Sequence, residues 1–392
     1  MPFGEFALVQ PSVLLERGTG YAFIAMEDVE PRRRTVFPGS ERTWDGGGGA
    51  RFENGDVIFA RITPCLEHGK TSQVENLPGG AGFGSTEFFV FRQRAGISDS
   101  RYIYYLSCSD ALREPAIKSM VGASGRQRAQ RIVVEETLVP APSLVVQRKT
   151  ADILSAYDDL IENNRRRMAL LEDAARQLYR EWFVRLRFPG HEHTRITNGV
   201  PDGWQRLRTP EAIEINPTTR LSDEGEHWSV EMADLPTGRM VIQQAAKREG
   251  RSGSKFRNGD TLFARITPCL ENGKTAFVDF LEDGEVARGS TEFIVLRGNR
   301  VTPEYVYCLA RTHDFRGNAI KSMVGSSGRQ RVQESCFEKF LVLIPPGTML
   351  ALFTDSVRPQ FRQIKVLHAQ NQKLRAARDL LLPRLISGEI AV

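Results

Sequence analysis

The chain is written twice, and that duplication limits its fold more than any single motif does. FENGDVIFARITPCLEHGKT at 52–71 returns as FRNGDTLFARITPCLENGKT at 256–275, with sixteen of twenty positions identical. GSTEF follows at 84–88 and 289–293, and AIKSMVGASGRQR at 116–128 is matched in twelve of thirteen positions by 319–331. The offset stays near 204 residues. Such a period is too long for one supersecondary unit of a solenoid, so the repeat is a duplicated domain.

Each copy reads as mixed α/β. Asn54-Gly55 and Asn258-Gly259 are turn signals before strand-like runs at Val57 to Ile62 and Thr261 to Ile266. Phe88 to Phe91 and Phe293 to Leu296 are second strand candidates, and Tyr102 to Arg113 and Tyr305 to Arg316 predict helices. The glycine-rich stretches 46–49 and 249–253 predict loops.

A different pattern follows each copy. From 150 to 187 the sequence is charged, free of proline and periodic: Leu154, Tyr157, Ile161, Asn164, Met168, Leu171, Ala175, Leu178 and Trp182 fall three and four apart, until Pro189-Gly190 stops them. Phe353, Val357, Ile364, Leu367, Asn371, Leu374 and Leu381 keep the same spacing near the C-terminus. Pro359 predicts a kink or a start in that helix, and Pro383 its end. Two such seams in one chain are each other's obvious partners. About 35 residues at ~1.5 Å each would span roughly 50 Å, a spacer between equal domains. Asn164 and Asn371 would lie in the seam, where a buried amide fixes register.

The chemistry of catalysis is hard to find. Gly69-Lys70-Thr71 and Gly273-Lys274-Thr275 resemble the end of a P-loop, but its first glycine would fall at Pro64 and Pro268, which lack the N–H a phosphate cradle needs. His191 and His193 have no Cys/His cluster at ligand spacing, so no metal is expected. The five cysteines form no C-x-x-C pair, and Cys65 and Cys269 predict packed thiols in a reducing cytoplasm. Asn216-Pro217-Thr218 lacks the second proline and the aromatic of an amino-methyltransferase tetrapeptide, and no nuclease carboxylate pattern recurs in both copies. No apolar run approaches the ~18 residues of a membrane span.

What remains is a binding surface. The net charge of +5 favours a polyanionic partner. Gly125-Arg126-Gln127-Arg128 and Gly328-Arg329-Gln330-Arg331 put two guanidiniums and an amide on a glycine-started loop. Arginine pairs with guanine or phosphate, and glutamine with adenine. Ser124, Ser327, Lys118 and Lys321 flank these loops, while Arg61, Thr63, Lys70 and Arg265, Thr267, Lys274 stand at or after strand ends. Arg32-Arg33-Arg34 adds charge in the first copy only.

These segments resemble a known family. AYDDLIENNRRRMALLEDAARQLYREWFVRLRFPG at 156–190 is similar to the central region of type I restriction-modification specificity subunits, and LRAARDLLLPRLISGEI at 374–390 to their C-terminal region. FARITPCLENGKT, GSTEF and SSGRQR resemble segments of their target recognition domains. The resemblance implies two similar recognition domains, at 1–147 and 189–347, separated by two long antiparallel coiled-coil helices, at 148–188 and 348–392, with pseudo-two-fold symmetry. Each domain would read half of a bipartite site in double-stranded DNA. Two modification subunits carrying S-adenosylmethionine would dock on the helices and methylate adenine, and two restriction subunits would add ATP- and Mg-dependent translocation and cleavage. This chain would hold no cofactor and perform no catalysis. The alternatives are a specificity module serving a type II enzyme and a two-headed scaffold with no DNA role. Because the GRQR loops match, the two half-sites should be related and inverted, with differences arising from 29–50 and 235–254.

Overall fold

A computed structural model of the chain describes residues 1–123, 125–222, 225–326 and 328–392. They divide into two compact units, 1–162 with 371–392, and 163–370. The divisions cut through both long helices rather than setting the helices apart as domains of their own.

Both repeats build the same pair of sheets. In the first, Ala7–Val9, Phe88–Gln93, Val57–Ala60, Thr71–Val74 and Thr35–Val36 pair in that spatial order. The second repeat orders Ile213–Ile215, Phe293–Gly298, Thr261–Ala264 and Thr275–Phe277 in the same way. The other sheet runs Ser40–Thr43, Gly20–Ile24, Ala81–Gly84, Ala50–Glu53, and its counterpart Ala246–Arg248, His227–Val230, Val286–Gly289, Ser254–Arg257. Each second sheet contains one parallel pair at the equivalent place.

Side-chain alternation explains the layering. Ile58, Phe88 and Val90 join Ala22, Ile24 and Phe52 in a core between the two sheets. The intervening residues Val57, Phe59, Phe89 and Phe91 face the opposite way, against Tyr102, Ile103 and Leu106. Leu262, Phe293 and Val295 repeat the first set, and Phe263, Ile294 and Leu296 the second. Strands buried on both faces read as continuous apolar runs, as VIFA and FFVF do. Gly55 and Gly259 take φ of 93° and 88° in the turns before them, a region open to glycine.

Each single helix expected after these strands is two. Ser100–Cys108 gives way to Asp110–Lys118, and Pro303–Ala310 to His313–Lys321. Ser109 and Thr312 are extended at the breaks, and the Thr312 hydroxyl accepts the Phe315 N–H at 3.3 Å. These are N-cap residues, which start a new helix rather than continue the old one.

The first long helix runs Leu144–Tyr179, four residues ahead of the expected start at 148. Gln147 is fully buried there: its amide donates to the carbonyls of Ile97 and Pro142 and accepts the Asp99 N–H. The helix ends in a π-turn at Arg180–Val184, before Pro189 is reached. That turn lets consecutive Trp182 and Phe183 both bury, with Phe183 4.9 Å from Phe353 and 5.0 Å from Tyr305.

The second long helix, Gly347–Ser387, passes through both Pro359 and Pro383, so Pro359 does not start it and Pro383 does not end it. A helix-interior proline costs about 3 kcal/mol. Phe353, Val357, Phe361 and Ile364 are buried around Pro359, at ~1.5–3 kcal/mol each, and Leu385 and Ile386 are buried after Pro383. Packing outweighs the missing N–H groups.

Within the first unit the two helices run antiparallel. Asn371 donates to the Ile161 carbonyl at 3.2 Å, Arg378 pairs with Asp158, and Leu385 shares a core with Leu154. Within the second, Met168, Leu171 and Leu178 pack against a core that includes Ala175, Phe353, Phe361 and Ile364. Leu154, Ile161, Asn164, Leu367 and Asn371 are buried, while Tyr157, Leu374 and Leu381 are half-buried. Charged residues are buried along the helices too: Asp158 and Arg378 in the seam, and Glu172 against Tyr307 and Met240 of the second repeat.

Candidate nucleic-acid interface

The repeated GRQR segment is a hairpin. Val121 and Arg128 exchange both backbone hydrogen bonds, at 3.1 and 2.9 Å, and Val324 and Arg331 do the same. The hairpin is tied to the end of the central strand. Thr63 donates its N–H to the Gln127 carbonyl at 3.0 Å, and its hydroxyl accepts the Gln127 N–H at 3.0 Å. Thr267 donates its N–H to the Gln330 carbonyl at 3.0 Å. Gly125 and Gly328 both have φ of 79° near the tip, and beyond them there is open space. Ser124 and Ser327, expected to contribute hydroxyls, lie outside the described residues.

The repeated cations then sort themselves by what they touch. Arg92 and Arg297 each grip a buried aspartate, Asp56 and Asp260, through two 2.7 Å bonds. Lys70 and Lys274 each donate to a backbone carbonyl at 2.8 Å, of Met26 and Met232. Arg61 lies half-buried with its guanidinium 4.7 Å from the Phe89 ring centroid. Arg265 reaches Glu334 at 3.2 Å. Lys118 is exposed and pairs with Glu114, one helical turn away, at 2.7 Å.

Arg128 and Arg331 also have acid partners. Both oxygens of Glu87 and of Glu292 accept from them, and those hydrogen bonds hold the two carboxyls below the usual carboxylate range. Arg126 and Arg329 differ: both are exposed, and neither side chain has an acid partner among the described residues. Gln127 and Gln330 are half-buried beside them, and Lys321 is exposed.

The arginine run of the first copy is not a free surface. Arg32 pairs with Asp379 at 2.8 Å, Arg33 with Glu162 at 2.7 Å and Arg34 with Asp159 at 2.5 Å, all within the first unit. Helix carboxylates have taken charges that the sequence alone offered to a ligand. The divergent stretches hold exposed edge strands, Ser40–Thr43 and Ala246–Arg248, at equivalent places in the two small sheets.

Among the described residues no group of His, Cys, Asp and Glu is arranged to hold a metal. No helix there is long and apolar enough to cross a membrane. Cys65 and Cys269 are half-buried, and burial pushes the Cys108 thiol up to about 12. Two groups of charged residues escaped the sequence reading because an apolar filter skips them. These are the buried Asp158–Arg378 pair and the arginines around Arg311 in the second unit. The signal available was a charge at a seam position.

Residues 14–173 match the family described as type I restriction modification DNA specificity domain. The MjaIX type I restriction enzyme specificity subunit of Methanocaldococcus jannaschii is 24% identical over 310 residues, 75% of this chain and 69% of that protein. The EcoAI specificity subunit of Escherichia coli is 30% identical over 154 residues, 38% of this chain and 26% of its own length. The crystal structure of the type I system S subunit from M. genitalium superposes with a TM-score of 0.52 at 12% identity, covering 98% of this chain and 95% of that one, which shows the shared fold. Residues 14–173 thus carry the type I restriction modification DNA specificity domain, and along most of its length the chain is similar to type I restriction enzyme specificity subunits.

Proposed function

We propose that each repeat reads one half of a bipartite target in double-stranded DNA, with the GRQR hairpin as its main contact. The observation that carries this is the state of Arg126 and Arg329. Of the arginines repeated in both copies, these two alone are exposed without an acid or aromatic partner among the described residues. They stand at the tips of matching hairpins. Arg128 and Arg331 serve as struts for the hairpins, and Gln127 and Gln330 offer amides to adenine edges.

The long helices dock two modification subunits, which carry S-adenosylmethionine and methylate adenine in each half-site. Two restriction subunits add ATP- and Mg-dependent translocation and cleavage in the cytoplasm. Ile153 and Leu160, 37% and 51% exposed, lie seven residues apart on one stripe of the first helix and support docking there. This chain binds no cofactor, so calorimetry with S-adenosylmethionine on the purified chain should give no stoichiometric heat.

Arg126→Gln and Arg329→Gln, made separately in the full chain, test the reading. A base-reading arginine should cost ~1–3 kcal/mol and relax one position of its half-site. A phosphate-binding one should weaken all sequences alike. Unchanged affinity and unchanged salt dependence in both variants would overturn the assignment.

A further inference from the structure

The repeats share a scaffold but not a charge. The first compact unit carries 22 Lys and Arg against 23 Asp and Glu, the second 31 against 25, so their formal net charges are −1 and +6. Part of the excess gathers in one place in the second unit. A cavity of about 250 Å³ has Arg176, Arg180 and Arg185 on one wall and Arg311, Thr312 and His313 on the other.

The acids around it fall short of this charge. Glu181 takes Arg185 at 2.5 Å, and Asp314 lies 3.6 Å from His313. Arg311 is nearly buried, donating to the Gly273 carbonyl at 3.0 Å with Glu172 3.7 Å away. Both oxygens of Glu172 already accept other hydrogen bonds, from the Tyr307 hydroxyl at 2.6 Å and the Met240 N–H at 2.8 Å. Arg176 and Arg180 have no carboxylate at ion-pair distance among the described residues. Arg316 stands close enough to Arg311 and Arg176 that burial, and then repulsion from both, lower its pKa.

The first repeat handles the same place differently. Cys108 aligns with Arg311, Asp110 with His313 and Arg113 with Arg316. Arg113 donates to the Glu67 carbonyl at 2.6 Å. The cavity there sets Arg32, Arg113 and Arg378 against Asp110 and Asp379, close to neutral. The duplicated scaffold has become a cationic cleft in one copy only.

We propose that this cleft is a phosphate site, holding a phosphodiester of the DNA backbone against the second repeat. The proposal rests on the DNA reading above. Several guanidiniums lining one small concavity present more donors than the two oxygens of a carboxylate accept, and arginine forks match phosphate geometry. A contact of this kind carries no sequence information and fixes position on the duplex. It would make the second half-site the electrostatic anchor of an otherwise symmetric reader.

The test compares the full chain with Arg176→Gln/Arg180→Gln, which leaves the buried Arg311–Glu172 contact intact and keeps good helix formers. Arg180→Gln alone serves if the double variant melts early. Binding of a labelled duplex is followed between 50 and 200 mM salt. The expected result is a slope of log K against log salt shallower by about 0.9, the loss of one phosphate contact, with every sequence weakened alike. Inorganic phosphate titrated into the DNA-free chain should bind weakly, and less to the variant. If wild type binds duplex and the variant matches it in affinity and slope, the cleft assignment falls and the DNA reading stands. Phosphate binding lost alongside unchanged duplex binding would assign the cleft to a free anion and overturn the backbone contact. A variant that keeps DNA binding but no longer co-purifies with modification subunits gives the cleft to an acidic protein surface, which overturns the backbone contact as well. Failure of wild type to bind any duplex removes both readings.

Discussion

The guanidinium of Arg128 clasps both carboxylate oxygens of Glu87 at 2.6 to 3.1 Å, and Arg331 repeats the clasp on Glu292 at 2.6 to 2.9 Å. Glu87 belongs to GSTEF and Arg128 to the hairpin, so each pair joins two segments that the duplication kept together. Glu87→Gln should loosen the first hairpin without unfolding its domain. Hydrogen exchange at the amides of 121–128 should speed up while the melting temperature holds, and duplex binding through that repeat should fall. The clasp lowers the pKa of Glu87, so its contribution is present above the unfolded carboxylate range near ~4.3 and is lost as pH falls through the lower folded value. Hairpin protection should therefore be flat from neutral pH to about 5 and fade only in stronger acid.

Arg378 is a second case of charge used inside. It pairs with Asp158 deep in the seam of the first unit, where Asp158 also accepts the Tyr105 hydroxyl at 2.7 Å. Arg378→Met would leave that carboxylate buried and uncompensated, at a cost of about 3–5 kcal/mol. Asp158→Leu combined with Arg378→Met should recover much of the loss. Denaturant melts of wild type and the two variants decide this, and an Arg378→Met variant as stable as wild type would contradict the buried pairing.

Asp279 gives the second unit a pH dependence of opposite sign. Burial raises its pKa to about 6, with Lys365 opposing the shift. An acid whose folded pKa lies above its unfolded one penalises folding once it ionises, so the penalty grows between about pH 4 and 6 and is complete above that. Asp279→Asn should stabilise the chain by up to about 3 kcal/mol at pH 8 and by little at pH 4. Parallel melts at the two pH values that show equal gains would contradict it.

The exposed stripe of the first helix should matter for assembly rather than folding. Ile153→Asp with Leu160→Asp changes two side chains that face solvent, so melting should shift by less than about 1 kcal/mol. Co-purification with modification subunits should be lost. Retained assembly would move the docking surface elsewhere.

How much of this was legible beforehand depends on the range of the interaction. The duplication, the Asn-Gly turns, the buried strands and the heptad seams are local patterns, and each fixes an element through periodicity or turn chemistry. The breaks at Ser109 and Thr312 were readable as capping residues inside a long helical stretch. The roles of Arg128, Lys70 and Arg32–Arg34 were not, because, apart from Glu30 beside Arg33, their partners lie 41 or more residues away or on a backbone carbonyl. A cation looks the same in sequence whether it waits for phosphate or already holds a carboxylate. Prolines 359 and 383 misled for a related reason, since local helix cost was outweighed by side chains buried on either side.

The central claim is that two matching hairpins read the two halves of one target. Mapping DNA methylation across the host genome with this gene intact and deleted measures that directly. The account predicts the loss of a single bipartite adenine-methylated motif whose halves are related after reverse complementation, since Arg126-Gln127 and Arg329-Gln330 present the same side chains from equivalent hairpins. A lost motif whose halves share no bases would contradict it and move base reading to the divergent edges at 29–50 and 235–254.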